Sequence, residues 1–254
     1  MKRGVHGVLV FAATVALTAA ATGQKPPTED QLMTDKGPLV IHPIEHATAV
    51  LEWDGRTIYL DPVGGADPFA SFGRADLILI TDIHGDHLSV DTVRAVSNEK
   101  TKVVVPAAVA SEFPEADRDR VTVLDNGGTL AWDGVEIEAI PMYNVAEERQ
   151  RFHPNGRGNG YVLGFGGKRL YISGDTEDIP EMRRLEDIDA AFVCMNLPYT
   201  MEVDAAADAV LEFRPKIVYP YHYRGKEGMS DVERFRSIVA GRNPDIEVRL
   251  LRWY

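Results

Sequence analysis

Hydrophobic and polar positions alternate in short stretches along the chain. Leu39 to Pro43, Ala47 to Trp53 and Thr57 to Asp61 each read as a strand, with Asp54-Gly55 as the hairpin turn between the last two. Asp76 to Thr81 is an apolar run too short for a helix and bounded by polar residues, which predicts a buried strand. Ser89 can cap a helix reaching about Asn98, followed by a strand at Val103 to Val105 and an alanine-rich helix near Ala107 to Phe113. A second meander is expected over Val121 to Leu124, Thr129 to Trp132 and Val135 to Pro141, punctuated by Asn126-Gly127-Gly128 and Asp133-Gly134. After a polar loop from Asn144 to Asn159, strands are predicted at Tyr161 to Phe165, Arg169 to Ser173, Ala190 to Cys194, Ile217 to Tyr221 and Glu247 to Leu251. Helices fit Pro180 to Leu185, Asp204 to Phe213 and Ser230 to Ala240. Each half thus runs from meander to mixed α/β. That suits an α+β fold in four αββα layers, with two mixed sheets packed face to face and helices outside.

The N-terminus breaks this pattern. Lys2 and Arg3 precede an apolar run from Val8 to Ala20 and the small residues Ala21, Thr22 and Gly23. This reads as a cleavable secretory signal over residues 1–23, because the run falls short of the roughly 20 residues that span a bilayer. Residues 24–37 read as a flexible tether and 38–254 as one domain, exported to the periplasm or secreted, with no stable membrane insertion once the signal is removed. The only cysteine, Cys194, lies in an apolar stretch, so it is expected to be a buried packing residue and no internal disulfide is possible. Without Lys2 and Arg3, 25 basic side chains face 39 acidic ones, a formal charge of −14 that repels nucleic acid and anionic lipid surfaces. A small-molecule substrate is the expected partner.

Chemistry concentrates in Thr81-Asp82-Ile83-His84-Gly85-Asp86-His87, where two imidazoles and two carboxylates follow a buried strand. Imidazole and carboxylate suit zinc and similar divalent ions, and a site without thiolate is more often catalytic than structural. No Gly-x-Ser-x-Gly elbow is present, and Cys194 has no base near it in sequence.

This stretch resembles the metallo-β-lactamase superfamily, whose signature is His-x-His-x-Asp-His at a strand end. The resemblance extends from Asp61-Pro62 to His222 and is closest to the branch of ascorbate-6-phosphate lactonase and the phospholipase D acting on N-acyl ethanolamine lipids. It implies that Gly174-Asp175-Thr176 carries the bridging aspartate, that His222 is the last histidine, and that Asp61 orients a metal-bound histidine from behind. Two departures stand out. Asp82 occupies the place of the first histidine, as a ligand, as an outer partner of one, or as a cap; a carboxylate there would move metal preference towards manganese or iron. Asn144 occupies the place of another histidine, leaving His153 or the Asn144 amide to fill it.

The resemblance implies two divalent ions, zinc above all, with manganese or iron as alternatives, activating water against an ester, lactone, amide or phosphodiester. One ion falls to Asp82, His84 and His153, the other to Asp86, His87 and His222, with Asp175 between and Asp86 relaying the proton. Tyr199 either donates to a developing oxyanion or lies on a helix approach capped by Thr200 or Asp204. His46 either faces the site from the first meander or, as the preferred reading, is a surface or core-satisfied histidine; His42 offers even less reason for a functional role, and Gly156 to Gly160 read as a mobile turn in which Arg157 could meet an acidic substrate. Two other classes stay open: a scaffold module that binds metal without turnover, and a diiron-type oxidoreductase.

Overall fold

Successive side chains of a strand point to opposite faces, and here each face meets a different core. In the computed structural model, which describes residues 26–254, the first sheet runs in chain order. It comprises β1 (Asp30–Thr34), β2 (Gly37–Glu45), β3 (Thr48–Trp53), β4 (Arg56–Leu60), β5 (Leu77–Leu79), β6 (Lys102–Val105) and β7 (Val121–Val123). β1 to β4 pair antiparallel and β4 to β7 parallel. Ala49, Leu51 and Trp53 of β3, with Leu77 and Leu79 of β5, point into the core between the sheets. Val50, Ile78, Val103 and Val105 point outward, beneath α1 (Val90–Val96) and α2 (Ala107–Glu112); the short α3 (Glu115–Arg118) follows with no buried residue of its own.

The second sheet repeats the plan. β8 (Thr129–Trp132), β9 (Val135–Met142), β10 (Gly158–Phe165) and β11 (Lys168–Ile172) pair antiparallel. β11, β12 (Ala190–Cys194), β13 (Ile217–Tyr221) and the last strand continue in parallel. α4 (Pro180–Arg183), α5 (Val203–Phe213) and α6 (Val232–Arg242) flank this sheet, and a hairpin of β14 (Arg224–Gly225) and β15 (Gly228–Met229) precedes the closing β16 (Glu247–Val248). The four-layer αββα arrangement predicted from the pattern is therefore observed. Trp53 and Phe165 meet across the sheet interface with ring centroids 5.4 Å apart.

Three expectations need correction. Residues 24–37 are not a tether throughout, because Asp30–Thr34 forms edge strand β1, held by backbone pairing with β2 and by Asp30 accepting from Tyr219 Oη and Arg249. The second meander is divided: β7 closes the first sheet against β6, and β8 opens the second. Periodicity specifies which face a strand buries, not which neighbour it pairs with. α5 starts from Glu202 without a side-chain cap, so neither Thr200 nor Asp204 caps it. Ser89 does cap α1, accepting from the Thr92 amide. The predicted signal, residues 1–23, lies outside the described residues. Among those described, no helix is long and apolar enough to cross a membrane.

Cys194 is fully buried, and burial pushes its thiol up to about 12. The folded protein is therefore expected to ignore Ellman's reagent at pH 8 and to release one equivalent of thiolate only on denaturation, read at 412 nm; fast labelling of the native chain would contradict this packing.

Candidate metal centre

Ligands of open parallel sheets collect outside the carboxyl ends of the strands. Here such ends of both sheets meet on one side of the sandwich: Asp61 follows β4, Thr81 to His87 follow β5, Asp175 follows β11, Asn196 follows β12 and His222 follows β13. The two sheets are laced together there by Asn159 N–H donating to Thr81 O at 2.9 Å and Tyr161 Oη to Ile80 O at 2.8 Å. Gly174 brings Asp175 into place: its φ is +62°, and a Cβ would sit 2.5 Å from Met142 Sδ, so only glycine fits.

Asp61, His46 and His222 all adopt left-handed backbone, with φ of 43°, 58° and 46°. Such conformations cost free energy for residues with a Cβ and collect where surrounding structure holds them for a purpose. Each of the three turns its side chain into the site.

His87 is the best-supported member. Its Nδ1 lies 2.8 Å from Asp61 Oδ2, and Asp61 also accepts from Thr81 N at 2.7 Å and Thr81 Oγ1 at 2.6 Å. With Nδ1 donating to Asp61, the Nε2 lone pair is directed inward, 3.1 Å from His222 Nε2 and 3.5 Å from Asp175 Oδ2. Asp175 Oδ1 is 3.0 Å from His222 Nε2 and Oδ2 is 3.2 Å from His153 Nε2. Neither Asp175 Oδ1 nor His153 Nε2 has a hydrogen bond of acceptable geometry, although both are buried. Buried polar atoms this close without hydrogen bonds fit a cation at their centre.

The electrostatics agree. Burial opposes charge on His87, yet Asp175 and Asp61 beside it raise its pKa well above the imidazole range. Burial pushes the Asp175 carboxyl upward, but His222 and His87 hold it well below the usual carboxylate range. Burial lowers His222, with His87 and His46 opposing a further charge. Such a cluster favours positive charge at its centre without room for a proton on every ring.

The donor atoms form three groups, each within 4.8 Å: His87, Asp175 and His222; His46, Asp86 and His222, which shares His222 with the first; and, separate from both, Asp82, His84 and His153. The structure thus brings together every residue singled out as a ligand. It also brings in His46, whose Nε2 is 3.2 Å from Asp86 Oδ2 and whose Nδ1 lies 2.6 Å from Tyr254 Oη and 3.1 Å from His222 Nδ1. The preferred sequence reading of His46 as a surface or core histidine is corrected in favour of the other, a histidine facing the site from the first meander. A usable signal was its place in the two-residue turn between β2 and β3, where glycine or asparagine is the usual choice.

Other expectations resolve as follows. His153 reaches the centre, while Asn144 stands behind it, its Nδ2 donating to Tyr199 O at 2.7 Å and lying 3.2 Å from His153 Nδ1. Tyr199 lines the mouth, its ring 5.3 Å from that of Phe152. Arg157 does not lie in an open turn: it forks onto Asp82, at 2.9 Å from Nε and 2.7 Å from Nη2. His84 and Asp86 have side chains 37% and 40% exposed, which places them on the open side. The mouth is a cleft of about 450 Å³, rimmed by Arg224 and Lys226.

A family model described as a β-lactamase superfamily domain matches residues 40–222. A metal-dependent hydrolase of Thermus thermophilus is 33% identical over 183 residues, spanning 69% of this chain and 80% of its own length. A crystal structure from Parabacteroides distasonis assigned to a metal-dependent hydrolase shares 39% identity at a TM-score of 0.78, covering 88% of this chain and 99% of that one. A diiron β-hydroxylase from Streptomyces venezuelae, at 19% identity and a TM-score of 0.63, covers 89% of this chain and 53% of its own; that likeness is of fold alone.

Proposed function

The chain belongs to the β-lactamase superfamily, and we propose that it is a metal-dependent hydrolase of small molecules whose divalent ion is held by His87, Asp175 and His222 with Asp86 at the open side. The observation that carries this reading is the pair of Nε2 atoms of His87 and His222 facing one another at 3.1 Å beside an Asp175 oxygen with no hydrogen bond. Two lone pairs at that distance repel unless a cation or a shared proton lies between them. The ligand set of imidazole and carboxylate favours zinc, with manganese or iron as the alternatives. When bound, such an ion would polarise the scissile bond and lower the pKa of a water molecule to about 7.

The protein's own groups do the rest. Asp61 fixes the His87 ring and its tautomer, leaving Nε2 as the ligating atom. Asp86, exposed to the cleft and 3.2 Å from His46 Nε2, would relay the proton to the His46 imidazole. Tyr199, which lines the cleft, would donate to a developing oxyanion. A cleft of about 450 Å³ is of a size for a small ligand. Its rim of Arg224 and Lys226, on a chain of formal charge −12, favours an anionic substrate. Within that class a lactone or phosphodiester follows from the resemblance to the ascorbate-6-phosphate lactonase branch.

Elemental analysis of the purified protein, with hydrolysis profiled across anionic lactones, esters and phosphodiesters before and after chelation, tests the reading. Bound transition metal with hydrolysis that chelation abolishes and metal restores is expected. A chain that hydrolyses equally well when stripped of metal would refute it. Export is part of the same proposal, and mass spectrometry of the secreted or periplasmic protein should give a mature chain starting near residue 24.

A further inference from the structure

Asp82, His84 and His153 are the residues to which the resemblance gives the first ion of a pair, but Arg157 already makes that position's electrostatic contacts. Its guanidinium donates to both Asp82 oxygens, at 2.9 and 2.7 Å, and to the Phe152 carbonyl at 2.5 Å. Its Nη2 also lies 3.3 Å from His84 Nε2. Both Nη2 hydrogens are taken by Asp82 Oδ2 and the Phe152 carbonyl, so His84 Nε2 sits beside a fixed positive charge that does not deprotonate in proteins. His84 Nδ1 lies 2.9 Å from Asp82 Oδ2 and donates to it, because a carboxylate only accepts. Both oxygens of Asp82 and Nδ1 of His84 are committed within the protein, and the Asp82 side chain is wholly buried, so water does not compete for the fork.

The third member points elsewhere. His153 Nε2 lies 3.2 Å from Asp175 Oδ2 but 3.9 Å from Asp82 Oδ2. Charge separates the two positions further: Asp82 and Arg157 cancel, whereas the deeper group has Asp175 and Asp86 with Asp61 behind His87. A dication approaching the first position meets a fixed positive charge.

We infer that the Arg157 guanidinium replaces the first ion, so that the chain binds one divalent ion where the sequence pattern implies two. The inference rests on the metal-dependent reading above and is tested by stoichiometry, not turnover. The full chain is stripped by chelation, titrated with Zn²⁺ by calorimetry and checked by equilibrium dialysis with elemental analysis. One tight equivalent is expected for the natural chain. R157M, which frees Asp82, His84 and His153, should gain a second. Because R157M leaves Asp82 buried without a partner, the double variant D82H/R157M serves beside it, and it too should bind two, with circular dichroism reporting the fold. Two tight equivalents in the natural chain overturn this inference while leaving the hydrolase reading intact, and one equivalent in all three proteins overturns it as well. No tight equivalent in any of them overturns both readings.

Discussion

Asp175→Ala is expected to lose metal and hydrolysis together, each by more than roughly 100-fold, the upper end of what loss of a merely supporting partner costs. Asp175 sits where three imidazoles converge: Oδ1 is 3.0 Å from His222 Nε2, and Oδ2 is 3.5 Å from His87 Nε2 and 3.2 Å from His153 Nε2. Removing it takes away the carboxylate closest to all three nitrogens and leaves only Asp86, 3.6 Å from His222 Nε2 and 3.9 Å from His87 Nε2, to offset an ion's charge, so affinity falls before any question of chemistry arises. Asp175→Asn keeps the volume and removes only the charge, and should show the same loss of metal together with a lower melting temperature of the metal-free protein at neutral pH, because His87 and His222 lose the buried carboxylate that they stabilise. Metal content by elemental analysis, read alongside the hydrolysis rate, decides it. A variant with full metal and full turnover would remove Asp175 from the site.

The second large effect is expected at Asp61, which touches no substrate. Its carboxylate accepts from Thr81 N, Thr81 Oγ1 and His87 Nδ1 in a buried setting. Asp61→Ala leaves those donors without an acceptor. A buried unsatisfied donor costs about 1–3 kcal/mol, and breaking a buried charged pair costs about 3–5 kcal/mol. A loss of about 3–5 kcal/mol is therefore expected by urea unfolding of the metal-free protein. The His87 ring is also freed to turn and to change tautomer, so metal affinity should drop about 10- to 100-fold even where folding is retained. Asp61→Asn keeps one acceptor oxygen and should fall between the two proteins. A loss under about 1 kcal/mol together with unchanged affinity would show that Asp61 only shapes its turn.

These two residues differ in how openly the chain declared them. Asp175 stands in Gly174-Asp175-Thr176 directly after a strand, and the positive φ of Gly174 is what that glycine signals. Asp61 was expected behind a histidine, and the structure supplies the particular one, His87. His46 offered no spacing to read, because its partner Asp86 lies 40 positions on in the numbering and His222 is 176 residues away. Arg157 was equally silent: its fork to Asp82 spans 75 residues, and nothing local distinguishes it from a solvated turn arginine. The edge strand Asp30–Thr34 was hidden for a related reason, since its polar composition is that of a tether and its order comes from pairing with β2 and from the ties of Asp30 to Tyr219 and Arg249.

What the sequence determined by itself was everything carried by near neighbours: which residues alternate, where turns interrupt them, which motif follows a buried strand, and hence two half-molecules of the same plan. Which strands became neighbours, and therefore that β7 belongs to the first sheet and β8 to the second, was decided only by tertiary structure. The same holds for the site's charge balance, in which a guanidinium 75 residues away sits where a metal ion was expected. The physical reason is common to both. Periodicity and turn chemistry act over a few residues along the chain, whereas strand pairing and Coulomb interaction depend on distances through space that only the folded chain establishes.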